Sequence, residues 1–211
     1  QLPHRAQEYA FAVGAGHGDR YRLNASMLLN HKTNKWNIGG AYDNWYTTRT
    51  RSVNGDRINF DIPDKYYLTQ RRFDERLVFY QNAKATVDFT PNKNNTFNFE
   101  AIWAFPGEDN NETLKNTYEN TEGDFTSSNQ RYSNEIRRSN TIEPSLKYSK
   151  RFDNPDKLLT ANLSNAFNKD NEETDITTTA LSEQNEPLET SSLQRTHVYQ
   201  KTSLTNIAVD Y

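Results

Sequence analysis

Cysteine is absent from the 211-residue chain, which removes disulfide frameworks, thiolate zinc sites and cysteine nucleophiles together. No stretch approaches the roughly 18 consecutive apolar residues of a membrane-spanning helix, so a helical membrane protein is excluded. Neither sign of charge dominates: 25 Lys and Arg stand against 28 Asp and Glu, a net charge of -3, and this leaves no basic footprint for nucleic acid. A mean hydropathy of -1.03 with 33% hydrophobic residues would suit a solvated or partly disordered chain. Aromatic content argues the other way. Twelve Tyr, eleven Phe and three Trp are more than a disordered tail carries, with only eight Gly and seven Pro beside them. A transmembrane β-barrel reconciles the two, because its strands alternate apolar and polar residues and leave a weak hydropathy trace.

Period-two alternation recurs along the chain. Tyr9, Phe11, Val13 and Ala15 share one parity of residues 8–16, and a turn follows at His17, Gly18 and Asp19. Tyr21, Leu23, Ala25, Met27 and Leu29 are the apolar parity of the next strand, and Trp36, Ile38, Gly40, Tyr42 and Tyr46 that of the third. Leu77, Phe79, Ala83, Ala85, Val87 and Phe89 mark a fourth, and Phe97, Phe99, Ala101, Trp103 and Phe105 a fifth. Ile142, Pro144, Leu146 and Tyr148 mark the sixth, Leu159, Ala161, Leu163 and Phe167 the seventh, and Ile207, Val209 and Tyr211 the end of an eighth.

Between these spans, short turns near residues 31–35, 90–95 and 151–156 alternate with polar stretches at 47–73, 106–140 and 168–192, which carry no such pattern and are expected to be long loops. Short periplasmic turns and long extracellular loops are the asymmetry of outer-membrane barrels. A secreted β-sandwich also alternates, but its strands run to about 5–6 residues, whereas these reach the 9–11 or so that a tilted strand needs to cross a bilayer. The expected fold is therefore all-β, an antiparallel up-and-down transmembrane barrel, here about eight strands of a larger one, in a bacterial outer membrane.

Charge falls on one parity only. Arg22, Asp43, Lys84, Asp88, Glu100 and Lys147 all oppose the apolar residues and are the candidates to face the lumen. Aromatics gather at strand ends, as interfacial girdles require. Trp36, Phe89, Phe97 and Tyr148 lie next to the short turns; Tyr46, Phe105 and Phe167 lie next to the expected long loops.

Gly14-Ala15-Gly16-His17-Gly18-Asp19-Arg20-Tyr21, then Leu23-Asn24-Ala25-Ser26, then Asn34-Lys35-Trp36-Asn37-Ile38-Gly39-Gly40-Ala41-Tyr42 resembles the early barrel of TonB-dependent outer-membrane receptors. The likeness is closer to the outer-membrane β-barrel subfamily with a carboxypeptidase-regulatory-like N-terminal domain. Val87-Asp88-Phe89-Thr90-Pro91-Asn92-Lys93-Asn94-Asn95-Thr96-Phe97 is similar to that family's strand-turn-strand pattern, as are Leu146-Lys147-Tyr148-Ser149-Lys150-Arg151-Phe152-Asp153 and Val209-Asp210-Tyr211. The resemblance implies a barrel of roughly 22 strands around a plug. It also implies coupling to the TonB system through that plug, and contact with outer-membrane lipid. A surface lipoprotein or another outer-membrane subunit is a further candidate partner. About eight strands and no plug or TonB-box pattern are legible, so the expectation is a barrel segment whose plug and remaining strands lie outside it.

Catalytic chemistry is not legible. His4, His17, His31 and His197 are scattered, with no i, i+4 pair and no carboxylate cluster beside them. The acidic runs at 108–112 and 170–173 lack the EF-hand spacing with its central glycine. No cofactor, no metal and no enzymatic activity is expected. The reading is an importer barrel whose long outer loops capture a ligand; the alternatives are a non-transporting structural or secretion-associated barrel, or a barrel enzyme.

Overall fold

The computed structural model describes residues 6–154 and 156–211; His4 and Pro155, which the sequence places in an N-terminal segment and a turn, lie outside them. Eight strands, β1 (Ala6–His17), β2 (Tyr21–Lys32), β3 (Trp36–Ile58), β4 (Tyr67–Asn92), β5 (Asn95–Glu119), β6 (Phe125–Arg151), β7 (Leu158–Leu181) and β8 (Pro187–Asp210), form one antiparallel sheet in sequence order. The sheet is curled into a half-barrel. Its up-and-down order follows from hairpin connections throughout, each strand pairing with the next. Among the described residues no second sheet packs on the first, which removes the sandwich alternative. Among the described residues Leu68 and Leu181 are the only buried hydrophobic ones, so the apolar parity has no protein core to fill.

The polar stretches depart from expectation. Residues 47–73, 106–140 and 168–192 are not long loops but continuations of the strands, so that β3 to β8 run to 23–27 residues while β1 and β2 have 12 each. The connections at that end shrink to residues 59–66, 120–124 and 182–186. Hydrophobic alternation vanishes there because both faces of the extended sheet carry polar side chains, while the ladder itself continues on backbone hydrogen bonds and cross-strand pairs. Asn116 shows how: its Nδ2 donates to Asn129 at 3.0 Å, and it accepts from Gln70 at 2.8 Å, linking β4, β5 and β6. At a rise of about 3.3 Å per residue, 25 residues span about 80 Å, well beyond what a bilayer requires.

Two prolines interrupt central strands. Pro106 pairs in register with Tyr80 of β4, but the β5–β6 ladder skips from Ala104 to Gly107. Pro144 likewise opens β6–β7 between Ile142 and Ser145. Each gap lies on the side where the missing N–H would donate. Side chains bridge the first: Trp103 Nε1 donates to Asn140 Oδ1 at 2.8 Å. Close by, the tip of the Phe79 ring lies against Gly107, where a Cβ would fall 2.1 Å from it, and the Arg138 guanidinium sits 5.0 Å over the ring. Only glycine admits that approach.

Candidate functional site: the two faces of the wall

Register converts parity into faces, because residues directly opposite each other project to the same side. Met27 pairs with Tyr42, Tyr42 with Ala83, Ala83 with Trp103 and Trp103 with Ile142, and Ile142 pairs in turn with Phe167. Every apolar parity of the sequence therefore falls on one face. Within the spans it carries no charged residue; its polar members are few, such as Asn44 opposite Gln81, and Asn165, which donates to Thr205 at 2.6 Å. Phe11, Val13, Leu146, Leu163 and Ile207 on this face are all exposed, at 46–85%.

Aromatics bound this face in two rows. Trp36, Phe89, Phe97 and Tyr148 are successive cross-strand partners on β3, β4, β5 and β6. Their rings form a continuous stack, with centroids 4.2, 6.4 and 4.9 Å apart. The Tyr148 hydroxyl donates to Asn95 Oδ1 at 2.6 Å, tying the row to the β4–β5 turn. At the other end Tyr46 pairs with Phe79, whose ring is 6.0 Å from Phe105, and Phe105 is 6.1 Å from Trp103. Phe167 continues the row through Ile142. Phe79 and Trp103 are members that strand-end position alone did not single out. Ten residues separate Trp36 from Tyr46 and Phe79 from Phe89. That is about 33 Å along a strand, and about 25 Å in height at a tilt near 40°.

Arg22, Asp43, Lys84, Asp88, Glu100 and Lys147 all lie on the opposite face, by the same register. The structure brings some together. Lys84 Nζ is 2.7 Å from Glu100, and the Asp88 carboxylate accepts from Asn37 at 3.0 Å and from Asn98 at 2.8 Å. Arg22, Asp43 and Lys147 make no ion pair among the described residues. Beneath Gly39 this face has a dent of about 220 Å³, lined by Glu8, Asn30, Lys84 and Thr86 among others.

The densest polar cluster lies where loops were expected. Glu112, 8% exposed, takes Arg72 at 2.6 Å and Arg131 at 2.7 Å, one from each neighbouring strand. Asp74, beside Arg72 at 3.5 Å, and Asn110 are equally buried, while Arg76 meets Glu108 at 3.2 Å and Arg137 meets Asp170 at 2.7 Å. All of these project to the polar face. Among the described residues Thr47, Leu68, Asp74, Asn110 and Glu112 are buried there, compared with Ser128 and Leu181 on the other face, so the greater crowding marks this as the concave side of the curl. The signal in the sequence was the density of charge at 71–76 and 108–112, in which Arg72, Asp74 and Arg76 share one parity of their strand and Glu108 and Glu112 one parity of theirs, a pattern that hydrophobicity alone does not register.

On the convex face beyond the upper aromatic row, Arg195 pairs with Asp175 through two hydrogen bonds of 2.8 and 3.0 Å. The guanidinium hydrogen bond holds the Asp175 carboxyl below its ordinary value of 3.8. A depressed folded-state pKa contributes stability that is present above about pH 3.8 and is lost as pH falls through the lower folded value. NMR titration should find Asp175 ionised to lower pH than a free aspartate, and Arg195→Gln should return it to the ordinary value; an unchanged midpoint in the variant would remove the pairing.

The histidines do not converge. His17 packs edge-on to Tyr21 at 4.8 Å, His31 lies near Gln7, and His197 contacts Asn171 at 2.5 Å. No group of three or more His, Asp or Glu is placed to hold a metal among the described residues. No protein-family model matches the chain, and no curated protein matches it.

Proposed function

We propose that the chain is a wall section of a bacterial outer-membrane β-barrel, of the receptor and transporter type that couples to TonB through a plug. The observation that carries the membrane reading is the charge-free apolar face about 25 Å tall between two aromatic rows, the outer surface of a transmembrane barrel. Water is a poor solvent for that face, and lipid a good one. The concave face then borders the lumen, where Lys84, Glu100 and Asp88 form a polar lining. The receptor type rests on the resemblance of the turn and strand motifs to TonB-dependent barrels. Strands β1 and β8 are not paired with each other, and in hydrocarbon their outward N–H and C=O groups would cost several kcal/mol each. Further strands must therefore close the wall, from the same polypeptide or from a neighbour.

One finding favours the non-transporting alternative. Ligand capture by long flexible loops loses its basis, since the outer segments are laddered strands joined by short connections. A tall rigid palisade suits a structural or docking role as well as a receptor vestibule.

Two measurements on the protein in bilayers test the membrane reading. Spin labels at Ala85 and Lys84, adjacent but on opposite faces, should differ sharply: the first accessible to lipid-phase oxygen, the second to aqueous quenchers. Among single-tryptophan variants, Trp36 and Trp103 should be quenched by brominated lipid, and Trp45, on the concave face, should not. Equal accessibility at both labels, or equal quenching of all three tryptophans, would rule the assignment out.

A further inference from the structure

The register leaves one edge inside the sheet unpaired, and it does so whatever closes the barrel. Strand β2 begins at Tyr21, and its ladder with β3 ends at Arg22 opposite Thr47. Strand β3 continues to Ile58, paired only with β4. The β1–β2 turn rises slightly higher, for Arg20 reaches Glu75 of β4 at 2.5 Å, and Glu75 is the partner of Thr50. Residues 51–58 stand above this clamp and are all exposed. They offer about 26 Å of strand in which every second residue's N–H and C=O meets no strand partner among the described residues.

Charge decides what can pair there. Arg49, Arg51 and Arg57 share the concave parity of β3 and make no ion pair among the described residues. Asp56, the one acid of the edge, lies on the other parity, and its carboxylate already accepts from Thr69 at 3.0 Å. A second copy fits poorly, because antiparallel self-pairing about Asn54 sets Arg51 against Arg57 twice, and like charges directly opposed are destabilising. An acidic strand meets neither obstacle.

We propose that residues 51–58 of β3 are a strand-addition site for an extended acidic polypeptide segment. Its backbone lengthens the ladder, and its alternate Asp or Glu side chains meet Arg51 and Arg57 on the concave side. Backbone pairing supplies affinity and alternate side chains supply selection, as in other strand-addition complexes. The inference rests on register and charge, and stands apart from the membrane reading.

The test uses the purified full-length protein and a fluorescent octapeptide of alternating Thr and Glu. The peptide should bind, and its affinity should fall at least about tenfold against the R51E/R57E double variant, with an alternating Thr-Lys peptide gaining in the same variant. N-methylation at one parity of the peptide should abolish binding, and at the other parity should not, since only one set of N–H groups faces the edge. Amide exchange at the edge-facing half of residues 51–58 should be fast without peptide and slowed with it, while the alternate amides paired with β4 serve as the protected reference. Equal binding of both N-methylated peptides, or no binding of the acidic peptide at low salt, would overturn the proposal. So would slow exchange at the edge-facing amides of 51–58 in the free full-length protein, since another part of the same molecule would then already occupy the edge.

Discussion

Arginine placed at Leu163 is expected to cost about 2–4 kcal/mol of folding free energy in a bilayer, while arginine at Asn162, one residue away, is expected to cost little. Leu163 is 48% exposed on the apolar face, opposite Leu146 on β6 and Ile207 on β8, and lies four residues from Phe167 in the upper aromatic row. In that position a guanidinium must lose most of its hydration or drag water into the hydrocarbon, and no acid on this face is near enough to compensate. Asn162 projects to the concave side between Lys147 and Ala208, where an added cation remains hydrated and the like charge of Lys147 opposite it costs at most about 1 kcal/mol. Matched urea titrations of both variants in lipid bilayers give the difference directly. The same pair in water would cost nearly equal amounts, because neither residue is buried in protein. Equal costs in bilayers would therefore place the apolar face against something other than lipid.

That contrast also explains which parts of the fold were legible. In β1, β2 and the lower halves of β3 to β7, one face is apolar and the other polar, so Phe97, Phe99, Ala101, Trp103 and Phe105 announce both a strand and its orientation. Occasional polar members such as Gln81 and Asn165 do not break the pattern, since each has one polar cross-strand partner, Asn44 and Thr205 respectively. Above Tyr46, Phe105 and Phe167 the two faces no longer differ in hydrophobicity, and stretches such as Asp109, Asn110, Asn111 and Glu112 read as loop. What holds them extended is the neighbouring strand: Asn111 accepts from both Tyr132, at 3.0 Å, and Asn134, at 2.7 Å, across the ladder. Such pairs depend on register, which a single sequence does not state. The lower aromatic row was recoverable because it sits beside turns that Pro91 and Asn92 mark. The Glu112 cluster was not, because its members are separated by 40 residues from Arg72 to Glu112 and meet only once β4 and β5 are aligned.

Removing the Glu112 carboxylate is the second change expected to have a large effect. Glu112→Ala leaves Arg72 and Arg131 facing each other across β5 with the acid that served both of them gone, and Asp74 alone remains near Arg72. The Nε atoms of both arginines already lack a hydrogen-bond acceptor, so Arg131 has no second partner in reserve and Arg72 keeps only the 3.5 Å contact with Asp74. Breaking a fully buried pair by deleting one member costs roughly 3–5 kcal/mol. Here the arginine side chains are 35% and 41% exposed and can recover part of their hydration, which lowers the expected loss to about 2–3 kcal/mol. Denaturant titration should show the loss as a lower midpoint, and a double-mutant cycle with Arg131→Met should show strong coupling. The quadruple replacement D74N/E112L/R72M/R131M is expected to recover most of the stability, since it also neutralises the buried Asp74 beside Arg72 and so leaves no charge stranded. A Glu112→Ala cost no larger than that of an exposed ion pair, under about 1 kcal/mol, would mean that backbone pairing alone keeps the upper strands extended. The side-chain network on the concave face would then contribute charge to the vestibule without holding its wall.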